Sequence, residues 1–342
     1  MTRLRYDEAD LLRSHDYARP QIENGNLMHG GFDVKGKYVS PRLLHREPAV
    51  EAWIEALRAR GGDLLDADAS LLEGIRYPSE AQQKLLIREG LGQTFWNMLT
   101  ITGQIEGRGR LLAEITFPEF QPHVVEDVSE MGIGHLNRGL LKAHGIDEGG
   151  EPERGIGGHD VMWFTLRDLV FGETDFTQPV IPDISRPESQ AAEIPGLDSA
   201  ILRTVYFLAN LLMIEFRAER GFAFTQGVLR DPELFTDRRA KAERAAEIVD
   251  RIRIDEKLHV RSLRLYLGEI CSINFKTDEG PDIPGRKIVD ELWGGMVQWA
   301  TVEQPRLAAE RQRKVLTERI LSHSGGEGPR ILEIFNSLEE RR

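Results

Sequence analysis

Four long segments of this sequence place apolar residues three and four positions apart, which is the period of an amphipathic α-helix. They cover about residues 92–115, 118–144, 198–229 and 237–267. Strand-like alternation of apolar and polar residues never lasts more than a few positions. Because helices with one apolar stripe bury that stripe against other helices, the sequence predicts an all-α fold.

The order of these segments predicts two helix hairpins, over residues 92–145 and 198–268. Connected in this way, the four long helices form a four-helix bundle. The crossover between the hairpins, residues 146–197, contains glycine-rich loops, a short apolar helix near residues 160–170 and a Pro-rich linker over 179–195. It is longer than a plain connector needs to be, so we expect it to cap a substrate pocket.

The rest of the chain predicts additions at both ends of the bundle. Residues 1–45 have few periodic apolar positions and predict an irregular arm, followed by two short helices. The tail predicts two helices with a break at residues 324–329. The predicted parts are an N-terminal arm with helices (1–85), the bundle (86–275) and a C-terminal helical extension (276–342).

Charge and cysteine content narrow the classes of function. Asp and Glu number 56 against 44 Lys and Arg, a net charge of -12, which argues against nucleic-acid and anionic-membrane partners. The single cysteine, Cys271, allows neither an internal disulfide nor a cysteine zinc site. The first residues lack the apolar stretch of a signal peptide, and the apolar run Val205–Phe216 is too short to span a bilayer. We expect a soluble, cytoplasmic protein.

The fourth predicted helix carries the most specific chemical pattern, Ile-Asp-Glu-Lys-Leu-His over residues 254–259. Glu256 and His259 are three positions apart, so on a helix they project from one face and can reach the same ion. They lie between Ile252 and Leu263, which predicts that this face is directed inward. A buried Glu is costly unless positive charge compensates it, and a metal ion would do so.

Two further glutamates lie in comparable settings. Glu215 is inside an apolar run of the third helix, and its neighbours Ile-Glu-Phe-Arg are echoed by Ile-Glu-Gly-Arg around Glu106 in the first helix. The midpoint of Glu215 and Glu256 falls between residues 235 and 236, in the predicted turn, so an antiparallel hairpin brings them to one level. Glu219 is an alternative ligand to Glu215, and a solvated position is the alternative for Glu106.

This pattern resembles the ferritin-like di-iron carboxylate superfamily, which includes rubrerythrins and bacterioferritins. Members have two helix hairpins joined by a crossover, with a Glu on two helices and a Glu-x-x-His on the other two. The resemblance covers about residues 92–268 and implies that Glu106, Glu215, Glu256 and His259 are metal ligands. It implies a cofactor of two Fe ions, or a Mn/Fe pair.

The second predicted helix departs from the family pattern. Position 132, three before His135, is Gly rather than Glu. Glu130 and His135 are five apart, about 140° around an ideal helix, so both reach one ion only if the helix is distorted near Gly132 or Gly134. We select His135 with Glu130, ahead of Glu126, as the ligands from this helix. A one-metal or metal-free bundle is the alternative.

Other histidines have simpler explanations. Four of the nine, including His135, fall within 37 residues. His123 lies near a predicted helix start and His144 near a helix end, so capping and dipole effects account for both. His159 begins a predicted helix, which favours a cap or a pocket-lining residue over a metal ligand.

The resemblance favours an enzyme: a non-haem di-iron or Mn/Fe oxidoreductase, an oxygenase or hydroxylase acting on a small organic molecule. Its partners would be that substrate, dioxygen or peroxide, and an electron-donor protein, and a homodimer is a candidate assembly. One alternative is a metal-free helical scaffold or binding protein. A second is a metal-dependent hydrolase that activates water with the same carboxylates.

Overall fold

The computed structural model describes residues 3–182, 186–187, 193–277, 280–323 and 326–339. Most of them are helical, which confirms the all-α class at that level. The helices are α1 (Glu8–Leu11), α2 (Leu43–Ala59), α3 (Glu80–Arg88), α4 (Gln93–Gly109), α5 (Leu141–Gly149), α6 (His159–Phe171), α7 (Ser199–Leu229), α8 (Arg239–Cys271), α9 (Gly285–Gln298), α10 (Gln304–Leu321) and α11 (Gly328–Ser337). The predicted Pro-rich linker over 179–195 lies largely outside the described residues, as do residues 324–325 of the predicted C-terminal break.

The predicted long helix over residues 118–144 is wrong. That stretch consists mainly of short turns, and regular α-helix begins only at Leu141. Glycines explain the difference: Gly139 has a φ of 107°, and a Cβ at Gly134 would collide with the carbonyl of Val128. The turn that begins at Gly132 is anchored by a neighbouring helix, because the buried Glu269 carboxylate accepts its backbone N–H at 3.0 Å.

The predicted irregular arm contains a small antiparallel sheet. Its strands are β1 (Arg19–Glu23), β2 (Asn26–Phe32) and β3 (Tyr38–Val39), in the order β1-β2-β3. Asn24 and Gly25 form the β1–β2 turn, with φ values of 50° and 80°. An Asn-Gly pair with two positive φ angles is the residue pair that such hairpin turns prefer. A second, very short pair joins β4 (Asn274–Phe275) to β5 (Ile283–Pro284).

Helices α4, α6, α8 and α7 surround the middle of the protein. Helix α7 packs along α8, α8 packs on α6, and α6 packs on α4, so the crossover contributes one of the central helices. Trp163, Phe95 and Phe222 form part of the buried core between them. Helix α7 is long and apolar enough to cross a membrane by length and composition, but 56% of its most apolar window is buried inside the protein, as in a core helix. The arrangement does not by itself assign the fold to the ferritin-like bundles.

Small residues let α5 approach the end of α4 closely. An ideal Cβ at Gly145 would lie 2.6 Å from the backbone nitrogen of Ala113, and one at Gly149 would collide with Arg110. An ideal Cβ at Gly109, on α4, would lie 2.6 Å from Cγ of Glu148. These glycines therefore set the depth at which α5 carries its side chains into the protein.

We predict that Gly145→Ala lowers the free energy of unfolding by about 1–3 kcal/mol, because a methyl group there meets backbone that cannot move aside cheaply. The matched control is Gly294→Ala in α9, where a Cβ meets nothing within 4 Å. That exchange should raise the free energy by about 0.5–1 kcal/mol through helix propensity. Urea denaturation measures both, and equal effects at the two sites would contradict the packing argument.

Candidate metal centre

Seven buried side chains that can ligate metal converge between the central helices. They form two groups of four that share Glu148, and within each group one ligand atom per residue lies within 4.8 Å of the others. The first group is His144, Glu148, Glu215 and His259, and the second is Glu106, Glu148, His159 and Glu256. Helices α4 to α8 all contribute.

Glu148 occupies the middle of this cluster. Its Oε1 atom lies 3.2 Å from Nδ1 of His259, 3.5 Å from Nδ1 of His159 and 3.6 Å from Nε2 of His144. Because it belongs to both groups, it is the side chain best placed to bridge two ions.

Glu256 also spans the two groups. Its Oε1 lies 3.0 Å from Nδ1 of His159, and its Oε2 lies 2.9 Å from Nδ1 of His259. Each of the other two glutamates contacts one histidine. Oε1 of Glu215 lies 2.9 Å from Nε2 of His144, and Oε2 of Glu106 lies 3.7 Å from Nδ1 of His159. The candidate ligand atoms thus form one continuous cluster.

Four of these atoms are buried and have no hydrogen-bond partner: Nε2 of His144, Nδ1 of His159, Oε1 of Glu148 and Oε1 of Glu256. Their short separations do not have hydrogen-bond geometry. Leaving buried polar atoms unsatisfied is costly, and native proteins generally avoid it. The convergence of these atoms on shared space fits metal coordination.

Electrostatics support the same conclusion. Burial, together with the Glu106 and Glu256 carboxylates, raises the pKa of Glu148 well above its usual range. Burial, followed by Glu256, raises the pKa of Glu215 to about 7. Burial opposes charge on His159, but Glu256 and Glu148 outweigh it and raise the pKa of this imidazole well above its usual range. Four carboxylates buried this close together are either neutralised by protons, as the raised pKa values of Glu148 and Glu215 favour, or balanced by positive charge, and two divalent ions would supply four positive charges.

One aspartate stands behind each of two histidines. Asp147 lies 3.1 Å from Nε2 of His259 and is held by Arg42 and Arg46, whose guanidinium groups keep the pKa of this carboxyl well below its usual range despite burial. Such carboxylates fix the orientation and tautomer of a ligating imidazole and leave the other ring nitrogen for the ion.

Asp255 plays the same part for His159. Its Oδ2 lies 3.2 Å from Nε2 of His159 and 3.1 Å from Nε2 of His29, and it accepts a hydrogen bond of 2.9 Å from the Tyr38 hydroxyl. His29 lies on β2 and Tyr38 on β3, so the N-terminal sheet supports the site from outside the helices.

The structure brings together four of the six ligands predicted from sequence: Glu106, Glu215, Glu256 and His259. Glu219, the alternative to Glu215, is exposed.

The structure places the other two predicted ligands, Glu130 and His135, outside the cluster, because the chain turns away at Gly132–Gly134 instead of continuing a helix. The His135 ring lies against Trp53, its Nδ1 is 2.8 Å from the Met131 carbonyl, and its Nε2 accepts the Tyr6 backbone N–H at 3.2 Å. Glu130 is exposed, 3.5 Å from Arg5.

Sequence reasoning missed His144, Glu148 and His159. His144 lies inside α5 rather than at a helix end, and His159 does begin a helix, as predicted, but both side chains are buried in the cluster. His144 and Glu148 are four positions apart, which places them on one helical face, and this spacing was the available signal. His159 belongs to the cluster only because α6 packs against α4 and α8.

An apolar cavity of about 480 Å³ opens beside the cluster, between α4 and α7. Its walls include Glu106, His144, Glu148 and Glu215, and the crossover contributes Trp163 and Pro182. We call this cavity the chamber. A molecule inside it would touch the ligand cluster directly.

Comparison with known proteins does not place the chain in a family. No family model matches it, and no curated protein or solved structure matches it significantly. The assignment of function therefore depends on the geometry of the site.

Two histidine variants test which residues bind metal. We predict that His144→Gln lowers the metal content of the purified protein, because it removes a nitrogen from the cluster. His135→Gln should leave metal content unchanged and lower the free energy of unfolding by about 1–3 kcal/mol, since its contacts are to backbone groups. Elemental analysis and urea denaturation measure these effects, and loss of metal in His135→Gln alone would refute the placement.

A third variant tests the support behind His159. Asp255→Asn should weaken metal binding by about 10- to 100-fold, as expected when the carboxylate behind a ligating histidine is lost. Tyr38→Phe, which removes one donor to Asp255 but leaves the His159 contact, serves as control and should change affinity much less. Competition with a metallochromic chelator measures the metal affinity of both variants. A similar loss of affinity in the two would show that the contact between Asp255 and His159 does not account for the effect.

Proposed function

We propose that this protein is a di-metal oxidoreductase, with two Fe ions or a Mn/Fe pair, that acts with dioxygen or peroxide on a small organic substrate. The observation that carries the proposal is the convergence of four glutamates and three histidines in one buried cluster beside an apolar chamber. The resemblance to ferritin-like di-iron proteins points to the same class.

The ligand atoms favour transition metals over calcium. Carboxylate oxygens with imidazole nitrogens suit iron, manganese and zinc, whereas calcium takes oxygen ligands only. When bound, a pair of iron or manganese ions supplies one- and two-electron chemistry with dioxygen or peroxide. Glu106, Glu148, His159 and Glu256 would hold one ion, and His144, Glu148, Glu215 and His259 would hold the other.

The protein's own contribution is to orient the ligands and to line the chamber with apolar side chains. Asp147 and Asp255 hold the imidazole rings of His259 and His159. The apolar side chains in the walls of the chamber favour an organic substrate over a hydrated one. Pro182 from the crossover lines this chamber, which agrees with a capping role for that segment.

The two alternatives differ in what they require of the cluster. A metal-free scaffold would have to bury Glu106, Glu148, Glu215 and Glu256 together with only protons and the His159 imidazole to offset their charge. A metal-dependent hydrolase needs ready access of water, and an apolar chamber does not favour this. The oxidoreductase accounts for both the ligands and the chamber.

The test is metal content and oxygen dependence in protein expressed with iron and manganese in the medium. We predict about two metal ions per chain, from the two groups of ligands that share Glu148. Glu256→Ala should lose the metal, because Glu256 contacts both groups. The matched control is Glu219→Ala, a change one turn beyond Glu215 at an exposed position, which should keep it.

The outcomes separate the three classes. Oxygen or peroxide consumption by the metal-loaded wild type, lost in Glu256→Ala, supports the oxidoreductase. Turnover that continues without oxygen would identify a hydrolase. Wild-type protein without bound metal after growth with both ions would leave a helical scaffold and overturn the proposal.

A further inference from the structure

One tyrosine of the N-terminal sheet is joined to the ligand cluster by a chain of polar contacts. The Tyr38 hydroxyl donates a hydrogen bond of 2.9 Å to Oδ2 of Asp255, and the same oxygen lies 3.2 Å from Nε2 of His159. At the other nitrogen of this ring, Nδ1 lies 3.0 Å from Oε1 of Glu256. Two short contacts therefore join the phenol to a candidate metal ligand.

The sheet is shaped to admit the Tyr38 hydroxyl. Tyr38 on β3 pairs with Phe32 on β2, and the two rings meet edge to face with their centroids 6.2 Å apart. An ideal Cβ at Gly30 would collide with the Tyr38 hydroxyl oxygen. Gly30 also has a φ of 69°, a conformation that glycine adopts at little cost. Glycine at this position therefore leaves the space in which the phenol reaches Asp255.

The surroundings of Tyr38 suit the loss of a proton together with an electron. The side chain is buried, and burial, followed by the Asp255 carboxylate, raises the pKa of the hydroxyl well above its usual range, so the neutral phenol is present at neutral pH. A phenol that loses an electron becomes a strong acid, and in a buried place it needs a base within hydrogen-bond distance. The Asp255 carboxylate, which already accepts the hydroxyl hydrogen, is such a base.

Tyr38 approaches the cluster from a different side than the chamber does. It lies on the N-terminal sheet and reaches α8 through Asp255, whereas the chamber opens between α4 and α7. A molecule in the chamber therefore need not displace Tyr38 from Asp255.

We propose that Tyr38 is a redox-active residue that supplies one electron to the metal centre. Tyr38 loses this electron and its phenolic proton together and becomes a neutral phenoxyl radical. The electron passes through Asp255 and His159 and reduces by one unit a metal ion that dioxygen or peroxide has oxidised. The proton moves along the hydrogen bond to Oδ2 of Asp255. This inference rests on the proposed function, which supplies the oxidant.

The test is electron paramagnetic resonance of the metal-loaded protein, frozen after it is mixed with dioxygen or peroxide. We expect the signal of an organic radical in the wild type. The signal should narrow in protein grown with ring-deuterated tyrosine, because deuterium couples more weakly than hydrogen to the unpaired electron. Tyr38→Phe should lose the signal at an unchanged metal content, which elemental analysis measures. The matched control is Tyr17→Phe, which removes the hydroxyl of a tyrosine that packs against Gly31 of the same sheet and should keep the signal.

The outcomes separate this inference from the proposed function. A signal that persists in Tyr38→Phe, or that deuterated tyrosine does not narrow, would place the radical on another residue and overturn the inference. Metal-loaded wild type that consumes dioxygen or peroxide without forming a radical would show that Tyr38 only positions Asp255, and would leave the proposed function intact. Wild-type protein that binds no metal would overturn both.

Discussion

The structure depends on one electrostatic constraint, the burial of four glutamate side chains around a shared space. Each carboxylate loses its hydration on burial, and each repels the others, so the arrangement is unfavourable until positive charge is added. His159, whose pKa Glu256 and Glu148 raise, relieves part of this cost, and two divalent ions would supply four positive charges to the four glutamates. The neighbouring Asp147 does not add to the repulsion, since Arg42 and Arg46 neutralise it.

The rest of the fold positions the side chains of this cluster. Glycines on α4 and α5 bring Glu148 to its centre, and α6 delivers His159 by packing between α4 and α8. The N-terminal sheet extends the support through His29 and Tyr38. Elements far apart in the sequence thus contribute to one site, and the crossover supplies two of its candidate ligands, Glu148 and His159.

The sequence predicted the features that depend on one helix at a time, which are its position and the residues that share a face. Periodicity located α4, α7 and α8, and the spacing of Glu256 and His259 identified a pair that shares a face. The sequence could not predict that regular helix starts only at α5. Gly132, Gly134 and Gly139 interrupt the helix there, and the spacing of apolar and polar residues carries no information about backbone conformation. The pair Asn24-Gly25 was an available signal for the β1–β2 hairpin, but the arm that contains it was predicted to be irregular. The proximity of His159 to Glu148 could not be predicted from neighbouring residues in the sequence, because only the packing of helices brings the two together.

The ligands come from both sides of the link between α6 and α7. His159 and Glu106 precede that link, and Glu215, Glu256 and His259 follow it. In the proposed metal-bound protein, ions shared through Glu148 and Glu256 would tie these two halves together. They would close a loop of the folded chain, and because the unfolded chain does not present the site, the free energy of metal binding would add to the stability of the fold. A chain with Cys271 as its single cysteine would in this way obtain an internal crosslink that its thiol content does not allow.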